Sequence, residues 1–379
     1  MKRFILLWGV VMAIHYSQIF ADEGHSNYVN AKSGAVGKLA WSQSISAAGK
    51  EQAEARLLIT AENLIIVEGM KQLFAFTKEG RALWQRAKWS GTPVVLREGL
   101  LFYTSPAQKN EMQAVDLNNV IKFQDFRIPN VGEQSYLVLF EPIKNGLIAQ
   151  VQYPDIPERG GRAFIAYKIR KGGLSYDWSK RYDNEESPIL PVICEGRKIL
   201  LTATRKEVIT FDIDGKQRDP EPFTRFPLPF GKTTMWVSCG QDKNLYWSGI
   251  DGRSTVIAAT AVSGKEQWRW ASDSRPPGPV APPIVTPERV YLLSRKRLSA
   301  VNNGKHLWSF EAKTGNFSSG TALADGTILI VEGYKLHRID SEGRSLFEAT
   351  VNEPIAAYPV IDSEGNIYVA SKETLYAFH

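Results

Sequence analysis

Gly304-Lys305-His306-Leu307-Trp308 decides the fold, because the chain repeats it. A glycine, a base, two further residues and an aromatic return as Gly80-Arg81-Ala82-Leu83-Trp84, Gly264-Lys265-Glu266-Gln267-Trp268 and Gly343-Arg344-Ser345-Leu346-Phe347. Asn119-Val120-Ile121-Lys122-Phe123 is a weaker copy with Asn at the turn. From Trp84 to Phe123, Trp268 to Trp308 and Trp308 to Phe347 the intervals are 39, 40 and 39 residues. That period is one of repeat architectures. The 145 residues from Phe123 to Trp268 fit three periods with insertions, with Trp178 and the region around Phe223 as degenerate copies.

Outward from each aromatic the same grammar holds. In the last repeat it reads Pro359-Val360-Ile361, a turn, Ile367-Tyr368-Val369-Ala370, a turn, and Leu375-Tyr376-Ala377-Phe378. One segment returns almost literally: Ile66-Val67-Glu68-Gly69 and Ile330-Val331-Glu332-Gly333. Short β-branched and aromatic runs bounded by Gly, Asn and Asp are antiparallel hairpins, and no stretch sustains a helical period. Four strands per unit of about 40 residues make a propeller blade. The aromatics at 41, 84, 123, 178, about 223, 268, 308 and 347 predict an all-β, eight-bladed β-propeller of four-stranded antiparallel blades. Seven blades are the alternative, if residues 131–230 hold one elaborated unit. The last repeat stops at His379, where a Gly-turn and an aromatic strand are due, and Gly37-Lys38-Leu39-Ala40-Trp41-Ser42 supplies them. The N-terminal strand is therefore expected to close the last blade, which removes two open sheet edges.

Ahead of the repeats, Lys2 and Arg3 precede an apolar run from Phe4 to Ile14, and Phe20-Ala21 precedes Asp22-Glu23. This is the layout of a secretory signal peptide cut after Ala21. The expected organisation is a signal peptide over 1–21, a flexible segment over 22–36 and one propeller over 37–379. No cysteine lies near the cleavage point, so lipid attachment is not expected, and the chain is placed in the periplasm or secreted. The net charge is +6, scattered rather than clustered, so no nucleic-acid footprint is expected. No apolar run is long enough for a transmembrane helix in the mature chain.

The stretch Ala258-Ala259-Thr260-Ala261-Val262-Ser263-Gly264-Lys265-Glu266-Gln267-Trp268 resembles the tryptophan-docking repeat of the pyrroloquinoline-quinone-type propeller family. That family holds quinoprotein dehydrogenases and the non-enzymatic propeller of the outer-membrane barrel-assembly machine, and the resemblance is nearer the latter. It implies that Trp41, Trp84, Trp268, Trp308 and Phe347 dock between neighbouring blades. Quinone dehydrogenases of the family carry adjacent cysteines against the cofactor. Here Cys194 and Cys239 stand 45 residues apart, and no catalytic, metal or cofactor set is assigned. The cysteines sit at matching ends of first strands in neighbouring repeats, so one interblade disulfide is expected. His25, His306, His337 and His379 lie apart from one another and read as exposed strand or terminal residues.

Recognition is expected where the repeat is interrupted, because loops on a rigid scaffold carry it. Two insertions stand out: residues 152–162, with Tyr153, Arg159 and Arg162, and residues 219–230, with Phe223, Arg225 and Phe226. Aromatic and Arg side chains are the usual anchors. The expected function is an exported, non-catalytic, monomeric scaffold that binds an envelope or secreted protein. A quinone-dependent dehydrogenase and a secreted carbohydrate-binding propeller are the alternatives.

Overall fold

The computed structural model describes residues 28–29, 37–45, 56–69, 71–89 and 278–379, and between 94 and 273 chiefly the strands with adjoining turns. The expected signal segment and Arg159 lie outside the described residues. The described residues form eight four-stranded antiparallel sheets, one of them carrying a fifth strand. They contain no α-helix. Blades 1 to 7 occupy residues 56–87, 95–127, 136–182, 192–227, 234–271, 284–311 and 317–350. The stretch 131–230 holds two of these sheets.

The eighth sheet joins the two ends of the chain. Leu39–Ser44 pairs antiparallel with Thr374–Phe378, placing Trp41 opposite Ala377 and Ser44 opposite Thr374. The Ile45 amide donates to the Glu373 carbonyl at 2.8 Å, and the His379 amide to Lys38 at 3.1 Å. The first strand of each blade from blade 2 to blade 7 touches the next in series, and Arg56–Ile59 of blade 1 touches Val360–Ile361 of blade 8. First strands therefore line the axis and aromatic strands form the perimeter.

Burial follows this radial order. Second strands are buried along their whole length, as in Ile65–Glu68 and Ile328–Glu332, because they are covered on both faces. The core lies between blades: Tyr291, Leu293 and Leu298 of blade 6 pack on Phe317, Ile328 and Ile330 of blade 7. Hydroxyls stitch the inner strands together, with Ser238 donating to the Pro283 carbonyl at 2.7 Å and Thr321 to Pro359 at 2.8 Å.

The glycine-to-aromatic motif is the joint between blades. In seven sheets the ladder slips by one residue immediately before the docking position, as between Ala300 opposite Trp308 and Val301 opposite His306. Such a bulge re-aims the next side chain. Trp308 then donates its Nε1–H to the Ser341 carbonyl of blade 7 at 2.7 Å. Its ring covers Gly343, where a Cβ would lie 2.7 Å from the indole. Trp41 repeats this on blade 1, donating to Lys78 at 2.9 Å and covering Gly80. Phe347 covers Gly37, and the start of the Trp268 side chain lies beside Gly304. Trp84 packs against Ala75 and Leu101. Gly80 and Gly343 both take φ near +85°, which disfavours any side chain. Each joint thus needs both partners, a flat ring and a bare backbone.

Blade 4 departs from the expected copy. Thr224, not Phe223, holds the ladder position equivalent to Trp268, and Phe223 is the extra bulge residue. The aromatic that covers Gly264 of blade 5 is Phe226, two residues further along the same face, edge-on to Trp247 at 6.5 Å. Within 22–36 the described residues Tyr28–Val29 supply the fifth strand, pairing parallel with Ala322–Leu323 of blade 7.

Candidate binding face

Antiparallel order gives the wheel two unlike faces. One carries the turns between first and second strands together with the glycine turns. The other carries the turns between second and third strands together with the linkers from each outer strand to the next blade. Buried carboxylates end two second strands on this linker face.

Glu332 ends the second strand of blade 7 and is 1% exposed. Its Oε1 accepts the backbone amides of Thr314 and Gly315, each at 2.5 Å, and the Thr314 hydroxyl at 3.0 Å. Its Oε2 bonds His337 Nε2 at 3.0 Å. Burial opposes ionisation of Glu332, but the Gly315 and Thr314 donors outweigh it and hold the carboxyl down at about 2. Burial pushes the His337 imidazolium below its ordinary 6.5, with Glu348 and Glu332 opposing. The His337 ring also meets Phe310 of blade 6 edge-on at 5.7 Å.

Glu68 holds the same place in blade 1 and fastens the linker toward blade 2. It accepts the Val94 amide at 3.3 Å and pairs with Lys88 at 2.9 Å. Both side chains of that pair are nearly closed to solvent. Burial draws the Lys88 ammonium below its ordinary 10.5, and Glu68 opposes the shift. In the linker toward blade 8, Glu353 accepts hydroxyl hydrogen bonds from Ser371 and Thr374. The near-literal Glu68 and Glu332 segments are therefore acids that tie each linker to the turn it crosses. His337 corrects the expectation of exposed histidines: it is 1% exposed.

The sequence-predicted recognition residues fall into two groups. Tyr153 and Arg162 sit at the tip of a long hairpin in blade 3, where Gly146–Tyr153 pairs with Gly161–Arg170 and Tyr153 faces Gly161. The strands of blades 1 and 7 have four to seven residues, whereas those of blade 3 have eight to ten. This hairpin turns on the linker face, and its strands are longer than the second and third strands of the adjacent blades 2 and 4, which have five and six residues. The second group is divided by burial. Arg225 is exposed and pairs with Glu207 at 2.6 Å, but Phe226 is buried in the joint with blade 5 and offers nothing to a partner.

Cys239 is disulfide-bonded, the described residues hold no free cysteine, and the sequence has one other cysteine, Cys194. Their first strands, Val192–Cys194 and Thr234–Cys239, touch at the axis. No group of three His, Cys, Asp or Glu converges to hold a metal ion among the described residues. The two cysteines of the sequence are not adjacent, so the side chains described do not supply a quinone-and-cation centre built on adjacent cysteines. No helix among the described residues is long and apolar enough to cross a membrane.

A protein-family model described as outer membrane protein assembly factor BamB matches residues 294–379. These are the residues of the joints at Trp308 and Phe347 and of the closing blade. Among solved structures, the propeller is similar to quinohemoprotein alcohol dehydrogenase from Comamonas testosteroni, at 12% identity and a TM-score of 0.64, covering 94% of this chain and 79% of that one. It is similar to the alcohol dehydrogenase ADHIIG from Pseudomonas putida HK5, at 10% identity and a TM-score of 0.63, covering 97% and 81%. It also resembles BamB from Moraxella catarrhalis, at 12% identity and a TM-score of 0.55, covering 87% of this chain and 99% of that one. At such identities the likeness is one of fold. No curated protein matches the sequence.

Proposed function

We propose that this chain is an exported, non-catalytic propeller that holds an envelope or secreted protein partner on its linker face. The observation that carries the reading is the architecture of that face. Its buried acids, Glu68 and Glu332, are committed to linkers and turns, and the blade 3 hairpin stands above a platform so braced. A braced platform loses little conformational freedom on binding, which favours affinity. The N-terminal signal layout supports export, and the likeness to BamB, described as an outer-membrane assembly factor, supports an envelope setting.

The test replaces Tyr153, Arg159 and Arg162 together with Ala and captures partners by crosslinking in intact cells. The expected result is loss of the partner crosslink with no change in melting temperature, since Tyr153 and Arg162 lie at the tip of the hairpin. Unchanged crosslinking would contradict the assignment. The dehydrogenase alternative is tested by titrating the purified protein with pyrroloquinoline quinone and calcium and assaying alcohols with an artificial electron acceptor. Turnover there would overturn the scaffold reading.

A further inference from the structure

The fifth strand of blade 7 lies in an unusual place. Phe317–Leu323 is an inner strand, so the edge not paired to Ile328–Glu332 faces the axis. Tyr28–Val29 adds to that edge in parallel, Tyr28 beside Ala322 and Val29 beside Leu323. Phe317–Leu323 runs from the linker face to the glycine-turn face, and a parallel neighbour runs the same way. Val29 therefore lies at the glycine-turn end of the pairing, the face on which the closing strand Leu39–Ser44 begins. The eight-residue step from Val29 to Gly37 can span roughly 26 Å. That is enough to cross the strands of one blade, spaced about 4.8 Å apart. The pairing and the ring closure are thus mutually consistent.

The receiving strand is also the one best shaped to take a neighbour. Ser318, Ser319, Gly320, Thr321 and Ala322 are five small residues in succession, whereas the inner strands of blades 1 and 5 carry Leu57 and Leu58, and Met235 and Trp236. Only two of its seven residues are paired on the axial side among the described residues. Backbone pairing supplies most of the affinity in strand addition and little sequence selectivity.

We propose that the axial edge of Phe317–Leu323 is a strand-acceptor site, filled at rest by the chain's own Tyr28–Val29 and taken over by an extended peptide segment of a protein partner. A partner strand that pairs along more of this edge outcompetes a two-residue occupant, even though the tether gives that occupant a high effective concentration. The identity of the displacing peptide as a partner's rests on the scaffold reading. The occupancy of the edge by residues 28–29 does not.

The test uses the full chain and its Val29→Pro variant, since proline cannot donate to the ladder. The probe is a fluorescent synthetic peptide of residues 24–32. Val29→Pro is expected to raise amide exchange over residues 318–323 at least tenfold, leaving Ile328–Glu332 protected. It is also expected to bind the peptide at least tenfold more tightly than the unaltered chain, which keeps its own strand in place. A peptide with Tyr28 and Val29 both replaced by Pro should not bind. Unchanged exchange in the variant, or equal or absent peptide binding to both proteins, would overturn the proposal. Such a failure leaves the blade 3 hairpin free to bind a partner, so it is separable from failure of the scaffold reading.

Discussion

Trp308→Ala destabilises the propeller by about 3–5 kcal/mol, the range for removing a large aromatic from a packed site. The loss has three parts. The Ser341 carbonyl of blade 7 loses its indole donor. The ring that covers Gly343 disappears, and the bare backbone beneath it is left without a neighbour. Tyr291, whose ring lies 5.8 Å from the indole, loses its packing partner. Gly343→Ala attacks the joint from the other side. Its φ of 85° and a Cβ directed into the indole both penalise the substitution. Trp89→Ala is the control, because Trp89 is exposed and not at a docking position; surface substitutions change stability by only about 0.5 kcal/mol. Denaturant midpoints for the three variants test the joint directly. Equal midpoints for the Trp308 and Trp89 variants would show that the indole does not bind the blades together.

Glu332→Ala carries the second large effect, about 1–3 kcal/mol for each buried donor left without its acceptor. The amides of Thr314 and Gly315 lose their acceptor inside the protein, and His337 Nε2 loses its partner. The pH dependence has a definite sign. Glu332 titrates at about 2 in the fold against an ordinary 4.5, so the unfolded chain binds the proton more readily. Its contribution is fully present above about 4.5 and is lost as pH falls toward 2. His337, held below 6.5 by burial, acts in the same direction, because the unfolded chain also charges its imidazole first. Stability should therefore fall on acidification. Glu332→Gln should flatten the part of that slope below pH 4.5, as read from thermal melts between pH 2 and 7. An unaltered acid limb in the Gln variant would contradict the latch.

The sequence exposed the joints and concealed the latches, for physical reasons. Docking depends on a glycine and an aromatic at a fixed ladder spacing, so Trp41, Trp268 and Trp308 could be read from intervals alone. Blade 4 escaped that reading because its aromatic moved two residues along the strand. Phe226 keeps the correct face while Thr224 takes the expected position. His337 was opaque because its burial comes from elsewhere in the chain: Phe310 and the loop at Thr314–Gly315 belong to the preceding blade or its linker. The available cue was an acid ending two otherwise apolar strands, Glu68 and Glu332, since a carboxylate kept in such a place needs donors around it. Tyr28–Val29 gave no signal, because two residues carry no period. At the recognition hairpin, the sequence located the insertion, while the lengthened ladder that projects it depends on partners from four strands.

The faces, joints and latches all depend on a ring closed by pairing its first long strand to its last. Ser44→Cys combined with Thr374→Cys tests this most directly, because the two positions are ladder partners across the closure. Facing residues on paired strands have Cα atoms about 4.5–5.5 Å apart, within disulfide range. Under mild oxidation the double variant should lose both added thiols and acquire an intramolecular crosslink, seen by mass and by faster migration on a non-reducing gel. Two thiols that stay open to alkylation in the oxidised, folded protein would contradict the closed ring.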